Sequence, residues 1–272
     1  MKHELSLLQQ KQLEVLCEFI RVCELLSLRY YMVAGTMLGA VRHHGFIPWD
    51  DDIDVAMPRS DYEKFLKKAP ELLDSRFELA DYFSPHHLWM TAILSNKHKE
   101  FVLNNAANKV NTGAWIDILM IDGVPKPGWK RECHYLKYKI YRMLFQLSHF
   151  SEIVNIYRSR PWYEKIIIKF AEVTGIEKHL DSVKIAGRLH SVLSKYDFDS
   201  ADFAATYVGA YGKKEIMPKK YYGEGREYSF EGLTVRGVDI YDLYLRALYG
   251  DYMAVPPENE RGNKHNVSER NS

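Results

Sequence analysis

The spacing of apolar and polar positions divides the chain into a mixed first half, a helical middle and a strand-rich end. Leu5, Leu8, Leu16, Phe19, Cys23 and Leu26 fall on a three-to-four period between Glu4 and Leu28, with Lys, Gln, Glu and Arg between them. That pattern predicts one long amphipathic helix. Tyr31 to Ala34 reads as a short buried strand, Gly35-Thr36 as a turn, and Met37 to Arg42 as a short helix. Gly45 to Trp49 reads as a loop and Ile53 to Met57 as a strand ended by Pro58. Ser60 is in position to cap a helix over Asp61 to Ala69. Phe77 to Tyr82, Trp89 to Ser95 and Phe101 to Asn105 read as strands, and Asn111-Thr112-Gly113 as a turn. Trp115 to Leu119 is an apolar strand with one aspartate, Asp117, at its centre. Asp122-Gly123 and Pro125/Pro127 close it.

From Trp129 the period becomes helical. Helices are predicted over Trp129 to Phe150, Trp162 to Val173 and His179 to Leu193. In the first, Lys130, Arg131, Lys137, Lys139 and Arg142 interleave with Tyr135, Tyr138, Tyr141 and Phe145. Short strands follow at Phe203 to Val208, Glu215 to Met217, Tyr228 to Phe230 and Leu233 to Val235. A last helix, Asp239 to Tyr249, is capped by Asp239 and stopped by Gly250. The tail from Pro256 is polar and reads as loose.

Composition narrows the chemistry. The chain has 272 residues with 46% hydrophobic content, enough for a sizeable core. A net charge of +1 gives no global signal for nucleic acid. The three cysteines lack CxxC spacing, which fits a reducing cytoplasm and argues against a disulfide framework. The N-terminal residues have no signal-peptide pattern, and no run reaches the roughly 20 apolar residues of a membrane span. GxxxxGK[ST], GxGxxG and GxSxG are all missing; Gly209-Ala210-Tyr211-Gly212-Lys213 has the wrong spacing for a phosphate loop.

The chemistry-bearing stretch is Val33 to Met57, VAGTMLGAVRHHGFIPWDDDIDVAM. Four aspartates, Asp50, Asp51, Asp52 and Asp54, fall within five positions. On a strand, the two-residue period sends Asp52 and Asp54 to one face and Ile53 and Val55 to the other. Paired carboxylates stay ionised together when they share a divalent cation. Asp117, amid Trp115, Ile116, Ile118 and Leu119, is costly to bury unless it is paired or bound to metal. If the two strands are neighbours, Asp52, Asp54 and Asp117 converge as ligands for Mg2+ or Mn2+, the donor set of a metal-assisted phosphoryl transfer. Asp117 is then a ligand or a general base. A solvated acidic loop is the plain alternative. An EF-hand fails at its sixth position, Val55, and its twelfth, Asp61.

Gly35 and Thr36 offer backbone N–H groups and the positive end of a helix to a phosphate. Arg42 either clamps a phosphate or pairs with the aspartates. Asp50 and Asp51 are expected in supporting roles, with Asp51 on the substrate side, and Trp49 abuts the acids. His43-His44 makes a poor zinc site, and His86-His87 reads as surface loop.

At these residues the chain resembles the LicD family of phosphocholine transferases, related to the fukutin proteins and to the nucleotidyltransferase-fold superfamily. The run AGTMLGAVRHHGFIPWDDDIDVAM is similar to the family's first block almost throughout, WIDILMIDGVP to its second, and IYDLYLRALYGDYMAVPPENER to its closing one. The resemblance implies an α+β fold: a nucleotidyltransferase-like mixed sheet core flanked by helices, with a helical insertion and a small C-terminal β/α segment. The corresponding division is a catalytic core over 1–128, a helical region over 129–200, and C-terminal strands and helix over 201–272.

The implied activity is transfer of phosphocholine from CDP-choline to a hydroxyl of a cell-surface glycan precursor, of teichoic acid or lipopolysaccharide type, with release of CMP. CDP-ribitol or CDP-glycerol as donor, nucleotidyl transfer to a small molecule, and a non-catalytic metal- or nucleotide-binding subunit are the alternatives. Choline's quaternary ammonium calls for an aromatic face; Trp49, Trp89, Trp115, Tyr221 and Tyr222 are the candidates, Trp49 first. Nucleic acid is not an expected partner. The expected location is the cytoplasm, with peripheral contact at the inner face of the membrane open. For the Trp129 helix, a membrane-surface role stands beside the simpler one of a solvated basic face.

Overall fold

The computed structural model describes residues 4–84, 87, 89–103, 110–150, 162, 166, 169, 173–258, 261 and 267–270. Among them, the principal sheet has nine strands. Its main path runs in the order β10, β11, β1, β2, β7, β4, β3. These strands are β1 (Tyr31–Met32), β2 (Asp54–Pro58), β3 (Phe77–Ala80), β4 (Ala92–Asn96), β7 (Trp115–Val124), β10 (Arg226–Phe230) and β11 (Leu233–Gly237). The sheet is mixed: β2 runs parallel to β7, and β1 parallel to β11, while β1–β2 and β4–β7 are antiparallel. This is the expected mixed sheet core flanked by helices.

β7 is the spine. Its first half pairs with β4 and its second half with β8 (Phe203–Ala205), which continues to β9 (Met217–Pro218). Ile116, Ile118, Met120 and Ile121 are fully buried on it, as are Val55, Ala56 and Met57 on β2. Each large aliphatic so buried contributes roughly 1.5–3 kcal/mol. Such continuous apolar runs are what a strand covered on both faces requires.

Helices α1 (Leu7–Leu26), α2 (Ala34–His43), α3 (Arg59–Lys68), α4 (Trp129–Ser148), α5 (Ser182–Leu193) and α6 (Tyr241–Tyr249) flank the sheets. α1 opens with a capping box between Ser6 and Gln9 and packs against β4 and β7. No helix among the described residues is long and apolar enough to cross a membrane.

Several boundaries depart from the sequence expectation for identifiable reasons. β2 begins at Asp54, so Asp52 lies in the preceding loop and is not a strand-face partner of Asp54. Gly35-Thr36 is not a turn before α2 but lies in its first turn. Ser60 does not cap α3: Pro58 ends the strand and takes the cap position, putting Ser60 inside the helix. Asp239 does not cap α6, because its carboxylate accepts the Glu224 N–H instead.

Asn111-Thr112 is strand. β6 (Val110–Thr112) pairs with β5 (Phe101–Leu103) in a small second sheet. Gly113 is there for close approach: a Cβ would sit 1.7 Å from the Asn96 carbonyl oxygen. The tail is not all loose, since β12 (Val267–Glu269) completes that sheet on β5. Asp122-Gly123 does not end β7, whose ladder continues through both residues onto β8. Trp89 lies before β4. Of the predicted Trp162 to Val173 helix, Trp162, Ile166, Lys169 and Val173 are helical and the rest lies outside the described residues, as do Asn104, Asn105 and His86.

One buried ion pair ties the layers together. Arg59, at the start of α3, donates Nε–H and Nη2–H to the two Asp122 oxygens at 2.7 and 2.6 Å, and Asp122 is fully buried. Bidentate geometry of this kind is the strongest arrangement open to the pair.

Candidate active site

Two features bring the acids together. Parallel pairing of β2 with β7 sets Asp54 directly in register with Asp117, so their side chains leave the sheet on the same face. Upstream, the Ile53 carbonyl accepts the Asp117 N–H at 2.9 Å. The chain carrying Asp52 therefore enters alongside Asp117. Asp50, Asp51 and Asp52 are buried, and each offers a carboxylate oxygen within 4.8 Å of the others. Among the described residues this is the one acidic group compact enough to hold an ion. All its donors are hard oxygens, the set that Mg2+ or Mn2+ prefers over softer-liganded metals.

The register thus unites two of the three predicted ligands, Asp54 and Asp117. The third, Asp52, is grouped with Asp50 and Asp51, which the sequence alone left in supporting roles. The reason is local. Asp50 to Asp52 lie in the loop before β2, where a period of two no longer sorts side chains by face. That loop is fastened to α1: Gln9 and Gln12 donate Nε2–H groups to the Asp50 and Asp51 carbonyls at 3.0 and 2.8 Å.

Asp117 is oriented by two donors. Thr91 Oγ1–H donates to Oδ1 at 3.0 Å and Trp115 Nε1–H to Oδ2 at 3.1 Å. A carboxylate with both oxygens so engaged still has lone pairs for a metal or a hydroxyl proton. His87, read as surface loop, is buried, and its Nε2 meets the Thr91 carbonyl at 2.8 Å, steadying the residue that holds Asp117. Burial pushes the His87 pKa down, leaving a neutral imidazole that donates.

α2 presents its N-terminus on the same side. Ala34 adopts φ of +47°, where L side chains are seldom found, and its N–H donates to the Tyr244 hydroxyl at 3.1 Å. Gly35 passes so close to Asp50 that a Cβ would lie 2.8 Å from the carboxylate. The Thr36 hydroxyl accepts the Asp54 N–H at 2.8 Å. Thr36 therefore fixes the start of β2, a task its side chain performs whatever its backbone binds.

Arg42 does not settle onto the aspartates. Its Nη1 donates to the Tyr252 and Ala254 carbonyls at 2.9 and 3.3 Å and its Nε to His43 Nε2 at 2.9 Å, fastening the C-terminal block to α2. That block supplies Tyr244 and Tyr249, and the segment after β8 supplies Tyr211, three tyrosines that sequence reasoning did not assign to the site. Tyr244 holds Ala34, and Tyr211 donates to Tyr249 at 2.9 Å. Burial pushes the Tyr244 and Tyr249 hydroxyls far above the usual phenol range, and the Asp54 charge adds to both.

Trp49 is half-buried beside the acids. The Arg261 guanidinium stands 4.8 Å above its ring and His43 meets it edge-on. A cavity of about 680 Å3 opens here, lined in part by Pro48, Trp49, Asp50, Asp51, Phe101 and Arg261, within the usual size of small-molecule sites. The other aromatic candidates are elsewhere engaged: Trp115 bonds Asp117, Tyr222 is core, and Trp89 is exposed against His87.

Residues 27–150 match the family model described as LicD/FKTN/FKRP, nucleotidyltransferase domain. The segment spans α2, β2 and β7, which carry Gly35, Thr36, Asp54 and Asp117. The chain is 27% identical over 258 residues to the lipopolysaccharide cholinephosphotransferase LicD of Haemophilus influenzae, covering 93% of this chain and 92% of that protein. It is also 25% identical over 146 residues to the uncharacterized protein RP689 of Rickettsia prowazekii, covering 53% of this chain and 52% of that one. A shorter match, 42% identical over 45 residues, joins it to the uncharacterized protein RT0683 of Rickettsia typhi.

Proposed function

We propose, because residues 27–150 match the LicD/FKTN/FKRP nucleotidyltransferase domain model, that the chain transfers phosphocholine from CDP-choline to a hydroxyl of a cell-surface glycan precursor and releases CMP. The observation that carries this reading is the register of Asp54 with Asp117 beside the Asp50–Asp52 group. The near full-length similarity to a lipopolysaccharide cholinephosphotransferase supports the choice of phosphocholine and of a lipopolysaccharide-type acceptor; a teichoic acid-type acceptor is the alternative. With a nucleotide as the proposed donor, the proposed location of the reaction is the cytoplasm.

Bound Mg2+ would neutralise the donor diphosphate and the leaving CMP. Asp52 and Asp54 are the proposed ligands, Asp117 completes the set, and Asp50 and Asp51 supply further oxygens from the same loop. The chain's own groups then do the positioning. Gly35 and Thr36 turn first-turn N–H groups of α2 toward phosphate oxygens, and the rest of the Arg42 guanidinium adds charge. In the step, the acceptor oxygen bonds to the choline-bearing phosphorus as the bond to the CMP oxygen breaks. The acceptor proton passes to Asp117, which Thr91 and Trp115 hold at the required angle. The Trp49 face that now receives Arg261 is the proposed seat of the choline ammonium.

The test offers the purified chain CDP-choline, CDP-glycerol, CDP-ribitol or CTP, each with Mg2+ and lipopolysaccharide as acceptor. CMP from CDP-choline, in preference to the other CDP-alcohols, is expected. Preference for CDP-glycerol or CDP-ribitol would keep the chemistry and reject choline. Diphosphate from CTP with no CMP from any CDP-alcohol would reject the reading outright.

A further inference from the structure

α4 carries an exposed apolar stripe that the fold does not use. Trp129, Leu136, Ile140 and Met143 are 73%, 59%, 44% and 47% exposed. Their spacings of seven, four and three return to one helix face at 3.6 residues per turn. The opposite face, with His134, Tyr138 and Phe145, is buried in the core. Alongside the stripe, between α4 and α5, lies a groove of about 570 Å3. Four cations line it: Lys130 and Lys137 from α4, Arg188 from α5 and Lys195 just after it. Among the described residues none of the four is ion-paired, whereas the neighbouring Glu132 and Asp181 are taken by Lys213 and Lys184. Among the described residues, the groove walls include no carboxylate.

We infer that this face docks on an anionic membrane surface. Lipid phosphates enter the α4–α5 groove, and Trp129, Leu136, Ile140 and Met143 sit at headgroup level. Two features favour a bilayer over a soluble anion. A soluble phosphate needs the cations but not the apolar stripe, while a zwitterionic surface needs the stripe but not the cations. A tryptophan at the helix end, an aliphatic row and flanking lysines together form the pattern of a helix lying in the interface plane. This inference stands apart from the proposed reaction, since neither α4 nor α5 carries a residue placed in the acidic site.

The test is co-sedimentation of the full chain with vesicles of phosphatidylcholine alone or with added phosphatidylglycerol. Binding is expected only when phosphatidylglycerol is present, and should weaken as salt rises. Each cation contributes about fivefold near such a surface, so Lys137→Gln with Arg188→Gln should weaken vesicle binding by roughly 25-fold. Leu136→Ser with Ile140→Ser should weaken it as well. All four positions are on the surface, and the thermal transitions of both variants should match wild type. Absence of binding to phosphatidylglycerol vesicles, or binding unchanged in both variants, would overturn the inference. Saturable binding of inorganic phosphate in the groove without vesicle binding would overturn it in favour of a soluble anion. CMP release with a soluble acceptor should be the same in both variants, which separates this failure from failure of the proposed reaction.

Discussion

Replacing Thr36 with valine removes one hydroxyl and keeps the side chain's volume. Thr36 is 4% exposed, and its Oγ1 accepts the Asp54 N–H at 2.8 Å. Asp54 is the first residue of β2 and stands in register with Asp117. The bond therefore sets both where the strand begins and where the Asp54 carboxylate lies. Valine takes that acceptor away from a part-buried N–H, at a cost of about 1–3 kcal/mol. At roughly 2–4 °C per kcal/mol for a chain of this size, Tm should fall by about 2–12 °C. Turnover should fall further than stability suggests, by about 10–100-fold, as when a partner orienting a metal ligand is lost. Thermal unfolding and CMP release measure the two effects. Thr36→Ser keeps the hydroxyl and should stay near wild type in both. A Thr36→Val chain that matches wild type, or a Thr36→Ser chain that loses as much as Thr36→Val, would refute this role for the hydroxyl.

Asp122→Ala would leave the buried Arg59 charge without its bidentate partner, and denaturant unfolding should register a loss of about 3–5 kcal/mol; a loss below about 1 kcal/mol would mean that water reaches the pair. Gly35→Ala would place a Cβ 2.8 Å from the Asp50 carboxylate, so turnover should drop and metal affinity weaken, and unchanged metal titration would argue against Asp50 belonging to the ion-binding group. His87, His134 and His190 all have pKa values below the usual histidine range, chiefly because burial disfavours the imidazolium. Their contribution to stability is present above the ordinary value of about 6.5 and is lost as pH falls below it toward the depressed folded values. Tm should therefore decline on acidification from about pH 7.5 to about pH 5.5, and His134→Gln should flatten the decline; a flat profile in the wild type would show that these rings titrate as if exposed.

Much of the candidate site is legible in residue order because Asp54 and Asp117 sit on the most regular part of the chain. Asp117 stood out as a lone charge in an apolar strand, and Asp54 as the polar member of an alternating one, so their pairing needed only the two strands to be neighbours. Asp50 to Asp52 were harder, since a loop has no period to sort side chains, and their grouping depends on how Gln9 and Gln12 of α1 hold the loop carbonyls. Trp115 was within reach: it stands two positions before Asp117 on the same strand face and bonds it. Thr91, His87 and the tyrosines at 211, 244 and 249 were not, because each reaches the site through contacts distant in sequence. Asn111-Thr112-Gly113 shows the same limit in the fold. Its composition reads as a turn, yet the glycine is needed for close approach to Asn96 and the other two pair with β5.

On the proposed mechanism, Asp54 and Asp117 belong to one metal-dependent phosphoryl-transfer site. The most direct measurement follows CMP release from CDP-choline, with lipopolysaccharide as acceptor, by the wild-type chain, Asp54→Asn and Asp117→Asn, before and after removal of divalent metal by a chelator. Mg2+-restorable release by the wild type is expected, with a fall of about 10²–10⁴-fold for Asp117→Asn and a comparable fall for Asp54→Asn. Release that survives chelation, or that persists at the wild-type rate in both variants, would contradict the proposed mechanism.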